Sequence, residues 1–146
     1  MSKIKARLES DEKYVLDLVA DIMGENYEWQ KRFDTLLGDP GKTGRRVKLP
    51  VDAFFPAANL IVEYREKQHS QPVTIMDKRM TVSGVLRGEQ RKIYDLRKEQ
   101  WAKDNEIKFL IVSYFDLAHK KSGRLTRDSV HDEKAIMRLI EDISGR

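Results

Sequence analysis

Two strand-like segments with a very short connection limit the folds open to this chain. VDAFFP and NLIVEY are both apolar and rich in residues that favour strands, and they follow one another around Pro56, Ala57 and Ala58. Parallel strands need a crossover of a dozen or more residues, so this connection can only join antiparallel neighbours. The sequence therefore predicts a β-hairpin over residues 51–64.

The segments before the hairpin predict one helix and one strand. Ser10 is a good N-cap for a helix over SDEKYVLDLVADIMG, and Gly24 is a suitable residue to end it. In YEWQKRF, the alternation predicts a strand with Tyr27, Trp29 and Phe33 on one face, and a short helix is the alternative.

The segments after the hairpin predict two further helices and one strand. EQRKIYDLRKEQWAKDN has the composition of a charged helix, and HDEKAIMRLIEDI is amphipathic. Between them, IKFLIVSYF predicts a strand covered on both faces. The order α, β, β-hairpin, α, β, α predicts an α/β fold, one domain over residues 1–146, with helices covering a small mixed sheet.

Composition narrows the class of protein. The chain has no cysteine, which excludes a disulfide framework and a thiolate zinc site. No apolar run approaches the length of a membrane span, and the N-terminal MSKIKARLESDEK lacks the apolar segment of a signal peptide. We therefore expect a cytoplasmic protein that does not bind a membrane.

Positive charge is concentrated in the middle of the chain. Residues 41–103 hold 14 basic and 7 acidic side chains, whereas residues 1–40 hold 6 basic and 9 acidic ones. A basic patch of this kind is typical of a nucleic-acid-binding surface. A solvated loop followed by an ordinary charged helix would give the same distribution.

Two carboxylates lie at hairpin ends that antiparallel pairing brings together. Asp52 begins the first strand and Glu63 ends the second, and such acids repel each other unless a cation lies between them. Oxygen ligands favour Mg²⁺ or Mn²⁺. His69, just past the hairpin, is a candidate general base, and Glu12 is a candidate further carboxylate.

Structural roles also explain these residues. Asp52 fits the start of a turn, Glu63 fits a charge that protects an edge strand, and His69 fits an ordinary loop residue. The glycines and charges of the loop over residues 41–48 also suit a mobile surface segment.

The order and spacing of five residues resemble a known nuclease group. They are Glu12 in EKYVLDLV, Asp52 in LPVDAFF, Glu63 in IVEY, His69 in EKQH and Asp95 in IYDLRKEQW. This pattern is similar to the PD-(D/E)xK nuclease superfamily, and within it to the branch of very-short-patch-repair and EDxHD homing endonucleases. The likeness spans roughly residues 10–114 and rests on the order of the motifs, because each short match is weak.

The resemblance implies a fold and a reaction. The fold is a restriction-endonuclease-like three-layer core, and the reaction is Mg²⁺-dependent hydrolysis of DNA phosphodiester bonds, of a nicking or repair type. It implies that Asp52 and Glu63 hold the metal, that His69 positions or deprotonates water, and that Glu12 and Asp95 support the site. Basic residues expected to bind DNA phosphates are Lys42, Arg45, Arg46, Lys48, Arg87, Arg91 and Lys92.

One departure from the family pattern leaves catalysis open. Arg65 stands where a lysine is expected, and an arginine cannot accept a proton. Lys67 or Lys98 is a possible substitute. An alternative is therefore a catalytically inactive nucleic-acid-binding module, and a second is a small interaction protein.

Two further points stay open in the sequence. For Asp95, the structural alternative is a helix salt bridge with Arg91 or Lys98. A homodimer or a protein partner is also an open alternative, because a single short domain seldom provides both specificity and cleavage of two DNA strands.

Overall fold

The structure is a computed structural model, and it describes residues 10–67 and 87–144. The helices are α1 (Asp11–Met23), α2 (Arg87–Asp104) and α3 (Ser129–Ser144), and the strands are β1 (Glu28–Leu37), β2 (Lys48–Phe55), β3 (Leu60–Arg65) and β4 (Lys108–Ser113). A 3₁₀ turn, Tyr114–Asp116, follows β4. The predicted α/β order of elements is confirmed.

Helix α1 begins and ends at the residues that the sequence indicated. The Ser10 side chain accepts a hydrogen bond from the backbone N–H of Lys13 and so satisfies one of the free amides of the first turn. Gly24 ends the helix with φ of 66°, a left-handed conformation in which a side chain would be strained.

Four strands form one mixed sheet in the order β1-β2-β3-β4. Strands β1 and β2 are antiparallel, and so are β2 and β3, which form the predicted hairpin with Phe55 opposite Leu60. Strand β4 lies parallel to β3, with Ile61 opposite Phe109 and Glu63 opposite Ile111. Helix α2 precedes β4 in the chain, as a parallel connection requires.

Hydrophobic side chains form one core on each face of the sheet. On one face α1 and α3 contribute buried residues such as Leu16 and Ile136, which pack with Val62 of β3. On the other face Ala102 of α2 packs in a second cluster with Ile61 of β3. Helices therefore cover both faces of the sheet, as predicted.

The predicted face of β1 is wrong at one position. Tyr27 and Trp29 pack on the face of α1 and α3, but Phe33 packs on the face of α2. The backbone of Gln30 explains the change, because its φ of 57° breaks the regular alternation of side chains along the strand.

Strand β2 changes face at the same level. Leu49 and Val51 belong to the core under α2, whereas Ala53 and Phe55 belong to the core under α1 and α3. Asp52 lies at the change, between Val51, which pairs with Lys31, and Ala53, which pairs with Trp29. The sheet is therefore irregular where the candidate acid sits.

None of the helices in the described ranges combines the length and the apolar composition that crossing a bilayer requires.

We predict that Phe55→Ala lowers the free energy of unfolding by about 3–5 kcal/mol, because it empties a fully buried site in the larger core. Urea unfolding followed by circular dichroism measures the loss. Phe115→Ala is the matched control, since Phe115 is 73% exposed and its removal leaves no cavity. Equal losses in the two variants would show that Phe55 is not a core residue.

Candidate functional site

Asp52 and Glu63 meet where the pairing of β2 with β3 opens. Regular pairing runs from Phe55–Leu60 to Ala53–Val62, and the two acids come next in this register. The backbone N–H of Asp52 donates to Glu63 Oε2 at 2.6 Å, and the backbone N–H of Tyr64 donates to Asp52 Oδ2 at 2.8 Å. Each carboxylate thus binds an amide of the opposite strand and fixes the other in place.

A lysine from α2 completes the charge arrangement. Lys98 Nζ lies 3.1 Å from Glu63 Oε1, and the two side chains are 13% and 5% exposed. A pair so well buried is ordered by its surroundings, unlike a surface ion pair. Lys98 therefore binds one oxygen of the Glu63 carboxylate while the Asp52 amide binds the other, and together they fix its orientation.

Burial raises the pKa of Asp52 to about 8, and the negative charges of Glu63 and Glu12 act in the same direction. The N–H of Tyr64 and the charge of Lys98 oppose this rise but are weaker. The site therefore concentrates negative charge beyond what its single lysine balances, and a bound cation would relieve this repulsion.

Glu12 approaches the pair from the first turn of α1. Its Oε2 accepts hydrogen bonds from Trp29 Nε1 at 2.8 Å and from Gln30 Nε2 at 3.0 Å. The left-handed backbone of Gln30 belongs to this arrangement, and such a conformation costs of order 1–3 kcal/mol in a residue with a side chain. Strain of this kind is common at functional sites.

Asp95 lies beside the site and faces Arg65. Its Oδ2 is 3.9 Å from Arg65 Nε, and Asp95 is 8% exposed. Lys98 follows Asp95 by one helical turn, and Glu63 precedes Arg65 by two residues on the same face of β3. Two adjacent ion pairs thus join β3 to α2: in one the strand carries the acid, and in the other the strand carries the base.

A cleft of about 650 Å³ opens next to Glu12. Its lining includes Trp29, Gln30, Tyr64, Lys67 and Arg124. Tyr64 is 5% exposed, so its ring belongs mainly to the core. The cleft gives a polar ligand access to Glu12, whereas Asp52 and Glu63 are not among its lining residues.

The chemistry of the donors suits a hard cation with few protein ligands. No group of three or more histidine or acidic side chains positioned to hold a metal ion occurs within residues 10–67 and 87–144. Mg²⁺ commonly uses one or two carboxylates and takes its other ligands from water and substrate phosphates. Within those residues, Asp52 Oδ1 accepts no hydrogen bond, so the pair Asp52 and Glu63 could hold such an ion.

The remaining candidates either lie outside the described residues, are exposed, or have protein partners. His69 lies outside the described residues, and so does the side chain of Arg87. Lys42, Arg45 and Lys92 are exposed, which suits contact with phosphates.

The other basic candidates have protein partners. Arg46 Nε donates to the Gly38 carbonyl at 2.7 Å, and Lys48 Nζ lies 2.7 Å from Asp34. Arg91 is half-buried and takes part in other interactions. The loop that carries Lys42, Arg45 and Arg46 starts from a base that α2 fixes, because Tyr94 and Arg97 both bind Asp39.

Sequence reasoning undervalued Lys98 and missed the support of Glu12. Lys98 was one of two possible substitutes for the absent strand lysine; the other, Lys67, donates to the Lys121 carbonyl instead. The signal for Lys98 was its spacing of three residues from Asp95 on a helix. Nothing in the sequence indicated that Trp29 and Gln30 bind Glu12, because the contact depends on the backbone of Gln30.

Comparison of the chain with protein-family models, with curated proteins and with solved structures gives no significant match.

We predict that Asp52→Asn stabilises the protein at pH 8 without divalent metal, by about 2–4 kcal/mol, but not at pH 4. The folded state keeps the Asp52 proton up to a pKa of about 8, whereas the unfolded state releases it near 3.8. Wild-type stability therefore falls as the pH rises between these values, and asparagine removes the ionisation. Urea unfolding in EDTA at both pH values measures the difference.

Asp34→Asn is the control for this experiment. Asp34 is fully exposed, and its pKa is lowered by the hydrogen bond and charge of Lys48, so the substitution should give no gain at pH 8. A gain for Asp52→Asn of equal size at pH 4 and pH 8 would contradict an origin in ionisation.

Proposed function

We propose that this protein is a metal-dependent DNA endonuclease with a restriction-endonuclease-like core. The observation that carries the proposal is the pair Asp52 and Glu63 at the opening between β2 and β3, with Lys98 bound to Glu63 and Glu12 close by. Two buried carboxylates beside a buried lysine have little structural value, since a well-packed apolar group would do as well. Such an arrangement is, however, suited to phosphodiester hydrolysis.

The topology supports the same proposal. One helix, three antiparallel strands, a second helix and a parallel strand follow in order, and the acids lie on the central strands β2 and β3. This is the arrangement that the resemblance to PD-(D/E)xK nucleases implies. The three-layer core then comprises α1 and α3, the sheet, and α2.

Charge supports DNA as the substrate. Residues 41–103, which contain the acids, carry twice as many basic as acidic side chains, 14 against 7. Lys42, Arg45 and Lys92 are exposed and available for phosphates. The acidic site needs a cation, and the phosphates of DNA would bind to that same cation. DNA and metal would therefore bind together.

In the proposed mechanism, Asp52 and Glu63 would hold Mg²⁺ or Mn²⁺. Such an ion would supply Lewis-acid chemistry to the scissile phosphate and to a water molecule. Glu63 is oriented for this by Lys98 and by the Asp52 amide, so the ligand geometry is set before substrate binds. In this proposal, His69 is the general base that accepts a proton from the attacking water.

Lys98 takes the place of the missing strand lysine in this proposal. Its Nζ lies 3.1 Å from Glu63 Oε1, where its positive charge would act on a phosphate bound at the two acids. Arg65, at the usual lysine position, instead binds Asp95 and so helps to seat α2 against β3. In this proposal, the lysine that the family pattern places on the strand is supplied by helix α2 instead.

We predict nicking of supercoiled plasmid that requires Mg²⁺ or Mn²⁺ and falls by at least about a thousandfold in Asp52→Asn, because the ion loses a charged ligand. Conversion to open-circular DNA on agarose gels measures the rate. Asp34→Asn, an exposed substitution in the same sheet, should keep full activity.

The outcomes separate the candidate functions. Salt-sensitive DNA binding with no cleavage under either metal would overturn the enzyme and favour the inactive binding module. Absence of both binding and cleavage would favour a small interaction protein. Retention of DNA binding by Asp52→Asn, with cleavage lost, is the result we expect.

We predict that Lys98→Ala lowers the nicking rate about a hundredfold or more, with little change in DNA affinity, because the charge acts at the reacting phosphate. Single-turnover rates together with filter binding measure the two effects. Lys134→Ala on α3, where Lys134 is exposed, is the control. A drop in affinity alone would assign Lys98 to substrate binding.

A further inference from the structure

A groove lined by apolar and charged side chains runs between the outer face of α2 and the edge of the sheet. It encloses about 600 Å³, and its lining residues are Leu96, Glu99, Gln100, Lys103, Ile107 and Phe109. The four residues from α2 lie at helical spacing and form one stripe. Leu96 is 66% exposed and leaves apolar surface of the stripe in contact with water.

The neighbouring strand has an unpaired edge. Strand β4 pairs with β3 on one side, and within the described residues no strand pairs with its other side. Its sequence, KFLIVS, is almost entirely apolar and carries its one charge at the start. Natural proteins cover or protect such an edge, because exposed strand edges pair with other chains.

We propose that the groove and the edge of β4 form the interface of a symmetric homodimer. The argument for a second copy is the charge of the groove itself. Glu99 and Lys103 have opposite signs and lie one helical turn apart on the exposed stripe. A two-fold axis between them places each Glu99 near Lys103 of the second copy, so the surface complements itself.

The level of β4 relative to α2 is consistent with one common axis. Lys98 contacts Glu63, and Glu63 pairs with Ile111 in the middle of β4. The centre of the exposed stripe of α2 therefore lies at the same height as the centre of the strand. One two-fold axis can then pair β4 with its copy in antiparallel fashion and bring the two Leu96 side chains over the joined strands.

This inference goes beyond the proposed nuclease function and does not depend on it, since dimerisation is measured without DNA or metal. Sedimentation equilibrium of the full chain over about 1–200 µM should show a monomer–dimer equilibrium. Leu96→Glu should shift the protein to monomer. Val130→Glu, a substitution of a side chain 64% exposed on α3, should leave the equilibrium unchanged.

A charge exchange tests the symmetry. Glu99→Lys and Lys103→Glu should each raise the dimer dissociation constant about tenfold, because each places like charges opposite one another. The double variant should return it to within about threefold of wild type. A monomer at all concentrations, a dimer that Leu96→Glu does not weaken, or a double variant no better than the singles would overturn the proposal. Circular dichroism of each variant confirms that it is folded.

Discussion

The rest of the site depends on two hydrogen bonds exchanged between β2 and β3, in which the backbone N–H of Asp52 donates to the Glu63 carboxylate and that of Tyr64 donates to the Asp52 carboxylate. Two acids brought together inside a protein repel each other, and each is retained here because the opposite strand donates an N–H to it. This exchange takes over from regular pairing beyond Ala53–Val62 and lets β2 change from one face of the sheet to the other. The opening in the sheet and the acidic site are therefore one feature.

The surrounding elements act on this opening from both faces. Helix α1 brings Glu12 from one side, and Trp29 and Gln30 fix it there at the cost of a left-handed backbone at Gln30. Helix α2 brings Lys98 from the other side. The charge that remains unbalanced raises the pKa of Asp52, so the fold stores electrostatic repulsion that a bound cation would release.

Local patterns in the sequence predicted most of the fold, and the site only in part. The hairpin, the caps of α1 and the three helices follow from short-range rules, and the meeting of Asp52 with Glu63 follows from antiparallel pairing. The face of Phe33 did not follow, because one unusual φ angle at Gln30 reverses it and no local pattern marks that angle. Long-range contacts such as that of Lys98 with Glu63 depend on how a helix is seated, which the sequence of one chain does not encode locally.

The two ion pairs between β3 and α2 have a consequence for assembly of the fold. Along β3, the apolar Ile61 packs in one cluster with Ala102 of α2. The acidic Glu63 pairs with Lys98, and the basic Arg65 pairs with Asp95. Sliding the helix by one turn would set Glu63 against Asp95, or Arg65 against Lys98. A shift of α2 along β3 in either direction therefore brings like charges together. This repulsion favours the single alignment of helix and strand that the structure shows.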